Sequence, residues 1–220
     1  STPASSAMSA ITTVTPGRAL PATTSTTVTC TGPWSGKQLE VVWEFETKWT
    51  TGRLHKDPWG GSSWPGQPSV DENRVYFGSA DGRLYCLDAK DGSLIWSYKT
   101  EDSLKATPTI VGDRLIASGL DHYIYCFDAR DGTLIWKYKT DFEVDCSVAV
   151  IHNRVYFGGE DGFFYSLNLD DGSLIYKTER LGSMEGSFSV VDDRAYIGTE
   201  RGELYCLNLS DGSTVWKASI

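Results

Sequence analysis

The sequence predicts an all-β fold, a β-propeller of four-stranded antiparallel blades, with four complete blades at a 40-residue period and one extra N-terminal strand. Three observations predict it. The strings VYFGSADGRLYCLDAKDGSLIWSYKT, LIASGLDHYIYCFDARDGTLIWKYKT, VYFGGEDGFFYSLNLDDGSLIYKTER and AYIGTERGELYCLNLSDGSTVWKASI begin at 75, 115, 155 and 195 without an insertion. Asp-Gly pairs recur between alternating apolar runs, most regularly at Asp91-Gly92, Asp131-Gly132, Asp171-Gly172 and Asp211-Gly212, and such pairs mark hairpins because Gly accepts φ > 0. The composition agrees: 22 Gly, 11 Tyr, 8 Trp and 8 Phe in 220 residues favour strands and tight turns.

In chain order, residues 1–38 are rich in Ser, Thr, Ala and Pro and nearly free of charge, so they read as a tail or linker expected to order only against a partner or the ring's outer surface. LEVVWEFET (39–47) aligns with SLIWSYKT and reads as an orphan outer strand. A Trp-rich loop follows at 48–66, where the Trp43-to-Trp96 spacing of 53 exceeds the period by 13. The blades are then 67–100, 106–140, 145–180 and 185–220. In the first blade, strands are expected at 67–71, 74–79, 83–89 and 93–100, with two-residue turns at Asp81-Gly82 and Asp91-Gly92. The orphan strand lacks its three partners, so the sequence suggests either a part of a longer propeller or a ring completed by a second chain; a small ring with an irregular closing blade is the alternative.

Each repeat reserves positions for large and small side chains. Trp96, Trp136, Tyr176 and Trp216 lie four residues after the turn glycines Gly92, Gly132, Gly172 and Gly212, where a ring can cover the next blade. Tyr85, Tyr125, Tyr165 and Tyr205 form a second set. Cys86, Cys126, Ser166 and Cys206 form a third, uniformly small and expected toward the axis. Equivalent cysteines on successive blades are too far apart for disulfides and lack ligand spacing, so they are expected as buried free thiols. A Cys30–Cys146 bridge stays open at this level.

Net charge −9 argues against a general nucleic-acid or anionic-membrane binder, and no apolar run reaches the ~18 residues of a membrane span. Candidate ligand- or partner-binding residues fall in two groups. Trp49, His55, Asp57, Trp59 and Trp64 crowd the long loop, suiting an aromatic ligand, a sugar face or a partner's hot spot. Lys105, Asp145 and Glu185 share one repeat position before the inner strands and are expected at the channel mouth. No catalytic and no metal-binding residue is assigned.

LYCLDAKDGSLIW, IYCFDARDGTLIW, FYSLNLDDGSLIY and LYCLNLSDGSTVW resemble the tryptophan-docking repeat of the PQQ-like (quinoprotein-type) β-propeller superfamily. Its pattern, small-x-Asp-x-x-x-Gly-x-x-x-Trp, maps onto Cys86, Asp88, Gly92 and Trp96, onto Cys126, Asp128, Gly132 and Trp136, and onto Cys206, Asn208, Gly212 and Trp216. The third repeat departs with Ser166, Asn168 and Tyr176. The resemblance covers 39–220 and spans quinoprotein alcohol dehydrogenases, a lipoprotein of the bacterial outer-membrane assembly machine, and lumenal sensor domains of stress kinases. For a dehydrogenase it implies pyrroloquinoline quinone (PQQ), calcium and an Asp base, often with adjacent cysteines, and this sequence has no Cys-Cys pair.

The expectation is therefore a non-catalytic propeller, a binding or scaffold protein in a larger assembly, without a cofactor, whose partner is a protein or a second chain completing the ring. It is placed outside the cytoplasm (periplasmic, secreted or lumenal). The alternative is part of a PQQ-dependent dehydrogenase whose remaining blades lie elsewhere, and only there would PQQ with calcium be bound.

Overall fold

A computed structural model describes residues 42–47, 66–71 and 73–219; Trp43–Ile220 is one of two units into which the chain divides. The described strands form four antiparallel sheets of consecutive strands, the blades of a propeller. Blade 1 is β1 (Ser69–Val70), β2 (Arg74–Ser79), β3 (Arg83–Asp88) and β4 (Leu94–Lys99). Blade 2 is β5 (Thr109–Val111), β6 (Arg114–Ser118), β7 (Tyr123–Asp128) and β8 (Leu134–Lys139). Blade 3 is β9 (Ala149–Ile151), β10 (Arg154–Gly158), β11 (Phe164–Asn168) and β12 (Leu174–Lys177). Blade 4 is β13 (Ser189–Val191), β14 (Arg194–Thr199), β15 (Glu203–Asn208) and β16 (Thr214–Ser219).

Two local expectations are corrected. The first strand of blade 1 shrinks from 67–71 to Ser69–Val70, because Pro68 has no N–H for a ladder and the Asp71 carboxylate accepts from the N–H groups of Asn73 and Arg74, starting the turn. The turn at Asp91-Gly92 is wider than a two-residue hairpin. Asp88 N–H donates to Ser93 C=O at 2.8 Å and Gly92 N–H to Asp88 C=O at 2.9 Å, while the carboxylates of Asp88 and Asp91 accept from Lys90 and Ser93 N–H. The other blades repeat this arrangement around Asp128, Asn168 and Asn208.

A β-bulge follows at one place in every blade. Cys86 opposes Trp96 but Leu87 opposes Leu94, leaving Ile95 unpaired; Ile135, Ile175 and Val215 are its equivalents. The extra residue rotates the strand and re-aims the following ring toward the next blade. This also corrects the axial reading of the small residues. They lie on the third strand of each blade, directly opposite the large ring, and leave it room.

The core lies between blades, because both faces of a middle strand are covered and period 2 sorts the side chains. In blade 2, Leu115, Ala117, Tyr125 and Phe127 pack with blade 1 residues Tyr76, Leu84 and Trp96. Their neighbours Ile116, Ile124 and Cys126 face the other way and pack with Val155, Phe157 and Leu167 of blade 3. Cys86, Cys126, Cys146 and Cys206 are buried free thiols; burial pushes Cys86 up to about 11 and Cys146 up to about 12. The Cys146 thiol donates to Gly158 C=O at 3.0 Å, and Cys30 lies outside the described residues. Ser166 is fully buried at the third cysteine-equivalent position, with no hydrogen-bond partner for its hydroxyl among the described residues. Ser166→Cys should therefore raise stability by about 1 kcal/mol, read from the melting temperature; a loss would show that the hydroxyl is satisfied.

Polar staples reinforce these interfaces, all running forward along the chain. Trp96 Nε1 donates to Ala129 C=O at 3.1 Å, Trp136 Nε1 to Leu169 C=O at 2.8 Å and Tyr176 Oη to Leu209 C=O at 3.0 Å. Tyr76 Oη and Arg74 Nη1 converge on the same Ala129 carbonyl, and Tyr156 Oη reaches Leu209 C=O. Arg154 Nη1 donates to Ser210 C=O, and Arg114 pairs with Asp170 at 3.9 Å. A carbonyl buried beside an apolar ring would be costly without such donors.

Candidate functional site

Two surfaces collect functional candidates, and the staples account for the first. Trp43 belongs to no sheet, yet its Nε1 donates to Ala89 C=O at 3.0 Å and its ring lies over Gly92 of blade 1. Phe45 adds edge contacts to Phe77 and Tyr85, at centroid distances of 6.1 and 5.4 Å. The orphan segment thus supplies the ring that a preceding blade would supply. At the other end, Trp216 is 42% exposed, against 9% for Trp96 and 8% for Trp136. Arg194 turns to its own blade and donates to Asp193 C=O, while Tyr196 stands 6.0 Å from the Trp216 ring, the spacing of Tyr76 and Trp96. The trailing face of blade 4 therefore presents an Arg, a Tyr and a ring at the positions that blades 1 and 3 use on their successors, where blade 2 has Ile116 in place of the Tyr. Strand β16 is exposed along its whole length.

The second surface is a loop face. Connections between blades interlock with the turns between second and third strands: Leu120 N–H donates to Ser103 C=O, Glu160 N–H to Glu143 C=O and Glu200 N–H to Ser183 C=O, at 3.0, 3.1 and 3.0 Å. Buried or half-buried tyrosines secure the same turns, with Tyr125 Oη on Asp121 at 2.5 Å and Tyr165 Oη on Asp161 at 2.6 Å. Those carboxylates also accept from Glu101 and Asp141 N–H across the interface. Here the structure brings the repeat-position candidates together. Lys105 Nζ lies 3.7 Å from Asp145 Oδ2, and Glu185 interacts with Glu200 and Asp145.

Among these groups sits Glu160. Desolvation, then the charges of Glu143, Glu185, Asp145 and Glu200, push its half-buried carboxyl up to about 7. A hydrogen bond to Glu200, together with burial and the Glu200 charge, raises Glu185 as well. An acid whose folded value exceeds its unfolded one stabilises the fold at low pH and loses that contribution as pH rises through the folded value. Stability should thus decline between about 4.5 and 7, with a Glu160 share of about 1 kcal/mol after allowing for solvent screening. Denaturant titrations of the parent and Glu160→Gln check this: the variant should show a flatter pH profile, and an unchanged profile would remove Glu160 from the account.

The quinone-and-calcium site implied by the sequence resemblance does not fit these donors. Calcium takes converging ionised carboxylates and carbonyls at about 2.3–2.6 Å. Here Asp145 is paired with Lys105, burial and like charges raise Glu160 to about 7, Glu185 lies above its ordinary value, and no group of three or more His, Cys, Asp or Glu among the described residues is placed to hold a metal. Trp49, His55, Asp57, Trp59 and Trp64 lie outside the described residues.

Sequence reasoning missed Arg74, Arg114, Arg154 and Arg194, although they recur at the 40-residue period as the first residue of each second strand. It also missed Glu160 and Glu200, which stand at one repeat position before the turns.

A family model described as "Outer membrane protein assembly factor BamB" matches residues 24–179 and 141–218. The fold is similar to BamB from Moraxella catarrhalis (TM-score 0.62, 24% identity, 70% of this chain and 53% of that one). It is also similar to the quinohemoprotein alcohol dehydrogenase ADHIIG from Pseudomonas putida HK5 (TM-score 0.62, 16% identity, 72% of this chain and 36% of that one). The computationally designed Ika4 protein matches with a TM-score of 0.63 at 14% identity, over 77% of this chain and 98% of that one. No curated protein matches the sequence significantly. This chain thus spans about half of that BamB and about a third of the dehydrogenase.

Proposed function

This chain belongs to the PQQ-like β-propeller family described as outer membrane protein assembly factor BamB, and from that premise we propose that it is a non-catalytic binding and scaffold propeller within a larger extracytoplasmic assembly. The observation that carries the reading is the trailing face of blade 4. Arg194, Tyr196 and Trp216 form a donor and ring set whose equivalents are spent on blade contacts elsewhere, and an exposed indole beside an Arg and a Tyr is the composition of a protein-binding hot spot. An indole over a glycine is the contact that the resemblance to the tryptophan-docking repeat implies, and it supports matching this face to a protein surface of blade type. The loop face supports the reading differently, since its interlocked turns give a rigid rim with acidic groups on it. The proposed protein carries no quinone and no metal, and its partner is a protein or a second chain that completes the ring.

The test has two arms on the protein purified from its own cells. A photo-crosslinking residue at Val215, 48% exposed and outside the staples, should capture a protein covalently, and Trp216→Ala should abolish that capture. An absorbance spectrum should show no stoichiometric quinone. One quinone per chain, with quinone-linked oxidation of an alcohol, would overturn the scaffold role.

A further inference from the structure

A residue that the repeat itself needs recurs at every 40th position, so each blade is a control for the others. The connection from blade 2 to blade 3 breaks the pattern in two side chains while its main chain keeps to it. Thr140 N–H and Oγ1 both donate to His122 C=O at 2.9 Å, and Thr140 Oγ1 reaches Phe142 C=O at 2.7 Å. One repeat earlier, Thr100 makes the same three bonds to Gly82 and Asp102, at 2.9, 2.9 and 2.7 Å. The backbone therefore asks nothing at 122 and 142 that it does not ask at 82 and 102.

The side chains differ sharply. Blades 1, 3 and 4 place Gly82, Gly162 and Gly202 at the turn position, with φ of +72°, +91° and +73°. Blade 2 has His122 there at +70°, in a left-handed conformation that only glycine adopts without steric cost. Position 142 is inverted in polarity. Its equivalents Asp102 and Gly182 are buried, and the Asp102 carboxylate accepts from Ser103 N–H at 2.7 Å, whereas Phe142 is 47% exposed. The two departures meet. The His122 and Phe142 rings lie 5.6 Å apart between centroids, tilted by 36°.

The surrounding charge indicates what such a pair would take. Phe142 stands between Asp141 and Glu143 in the chain, with Asp121 next to His122. Nearby half-buried rings are covered by the chain's own cations, Lys137 Nζ at 4.3 Å over Tyr123 and Lys177 Nζ at 4.5 Å over Phe163. Among the described residues no cation stands over Phe142, and Lys139, close in the chain, is turned to Tyr123 at 6.0 Å.

We propose that Phe142, backed by His122, seats an arginine side chain of a protein partner, whose guanidinium lies over the ring and meets the carboxylates of Asp141 and Glu143. This rests on the scaffold reading and adds to it a second surface, on the loop face, with a stated partner chemistry. A planar guanidinium stacks on an aromatic face in a way that an ammonium does not, and its attraction to the ring grows as water is excluded. Arginine is also among the residues that dominate binding at protein interfaces, and the flanking carboxylates steer a cation toward the ring.

Two acetylated and amidated peptides test this by NMR titration of the full chain, Gly-Leu-Arg-Leu-Gly and its counterpart with neutral citrulline in place of arginine. The arginine peptide should shift the Phe142 and His122 ring signals, and its arginine δ-methylene protons should move upfield as the ring current reaches them. The citrulline peptide should bind about threefold or more weakly, the factor expected of an exposed cation–π contact. Phe142→Leu keeps an apolar side chain without a π face and should weaken the arginine peptide by a similar factor, while Phe142→Trp should hold or tighten it. Equal affinities for the two peptides, or for parent and Phe142→Leu, overturn the inference. So does a Phe142 signal that has not moved at about 5 mM arginine peptide. Should Phe142→Leu fail to fold, His122→Gly decides, since the turn already accepts glycine at 82, 162 and 202. It should weaken the arginine peptide, and unchanged binding overturns the inference. A chain that ignores both peptides yet is crosslinked through Val215 sinks this inference alone. A stoichiometric quinone sinks the scaffold role alone.

Discussion

Gly132→Val should lower stability by about 4 kcal/mol and the melting temperature by about 10 °C, because two independent costs coincide. Gly132 has φ +74°, a region that β-branched residues avoid, and a Cβ there would stand 2.7 Å from the Trp96 ring. Moving the ring breaks the Nε1 bond to Ala129 and loosens the blade 1–blade 2 core in the same step. Gly112→Val separates the two costs. Its φ is +59° but nothing lies within 4 Å of the added atom, so it should lose only the backbone share, about 1–2 kcal/mol. Equal losses in the two variants would mean that the indole is not seated on the glycine.

Removing a ring should have very unequal consequences at two positions that the repeat makes equivalent. Trp136→Ala should cost about 4 kcal/mol, since the indole is 8% exposed, covers Gly172 and donates to Leu169 at 2.8 Å. Its loss leaves a cavity and an unpaired buried carbonyl. Trp216→Ala should cost under about 1 kcal/mol, because its ring is 42% exposed among the described residues. Chemical denaturation of the two variants decides. A large loss at Trp216 would show that its exposed ring is held by contacts of blade 4 itself.

Much of the fold is legible because period and alternation are physical constraints on each repeat. The 40-residue recurrence requires equal units, and the apolar runs at 74–79, 83–88 and 94–99 are long enough for strands and too short for helices. The inner strands were harder. Ser69–Val70 carries little apolar signal, and Pro68 and Asp71 decide its ends through missing and redirected N–H groups. The bulge beside Leu87 has no sequence signature at all, since Ile95 is a good strand residue in or out of register.

The candidate site was read unevenly. Lys105 and Asp145 were found because they share a repeat position, and the 40-residue spacing brings them to 3.7 Å. Glu160 escaped because its perturbation comes from carboxylates on other turns and loops, brought near only by the stacking of blades. The arginines escaped because a charged residue at the start of a strand reads as solvated surface. In the structure the guanidinium groups of Arg74 and Arg154 reach 55 and 56 residues ahead to main-chain oxygens, and that of Arg114 reaches the Asp170 carboxylate.

The choice of main-chain oxygen at Ala89, Ala129, Leu169 and Leu209 has a consequence for how such chains can change. A backbone carbonyl is supplied by whatever amino acid occupies the position, so the receiving half of each joint is indifferent to substitution so long as the loop keeps its shape. Selection has the giving side chains and the glycine beneath each ring to police, a handful of positions per unit. A copied unit would fit behind any other without matched changes in its neighbour. Modules of this kind can multiply, drop out or trade places within a gene while every seam stays closed.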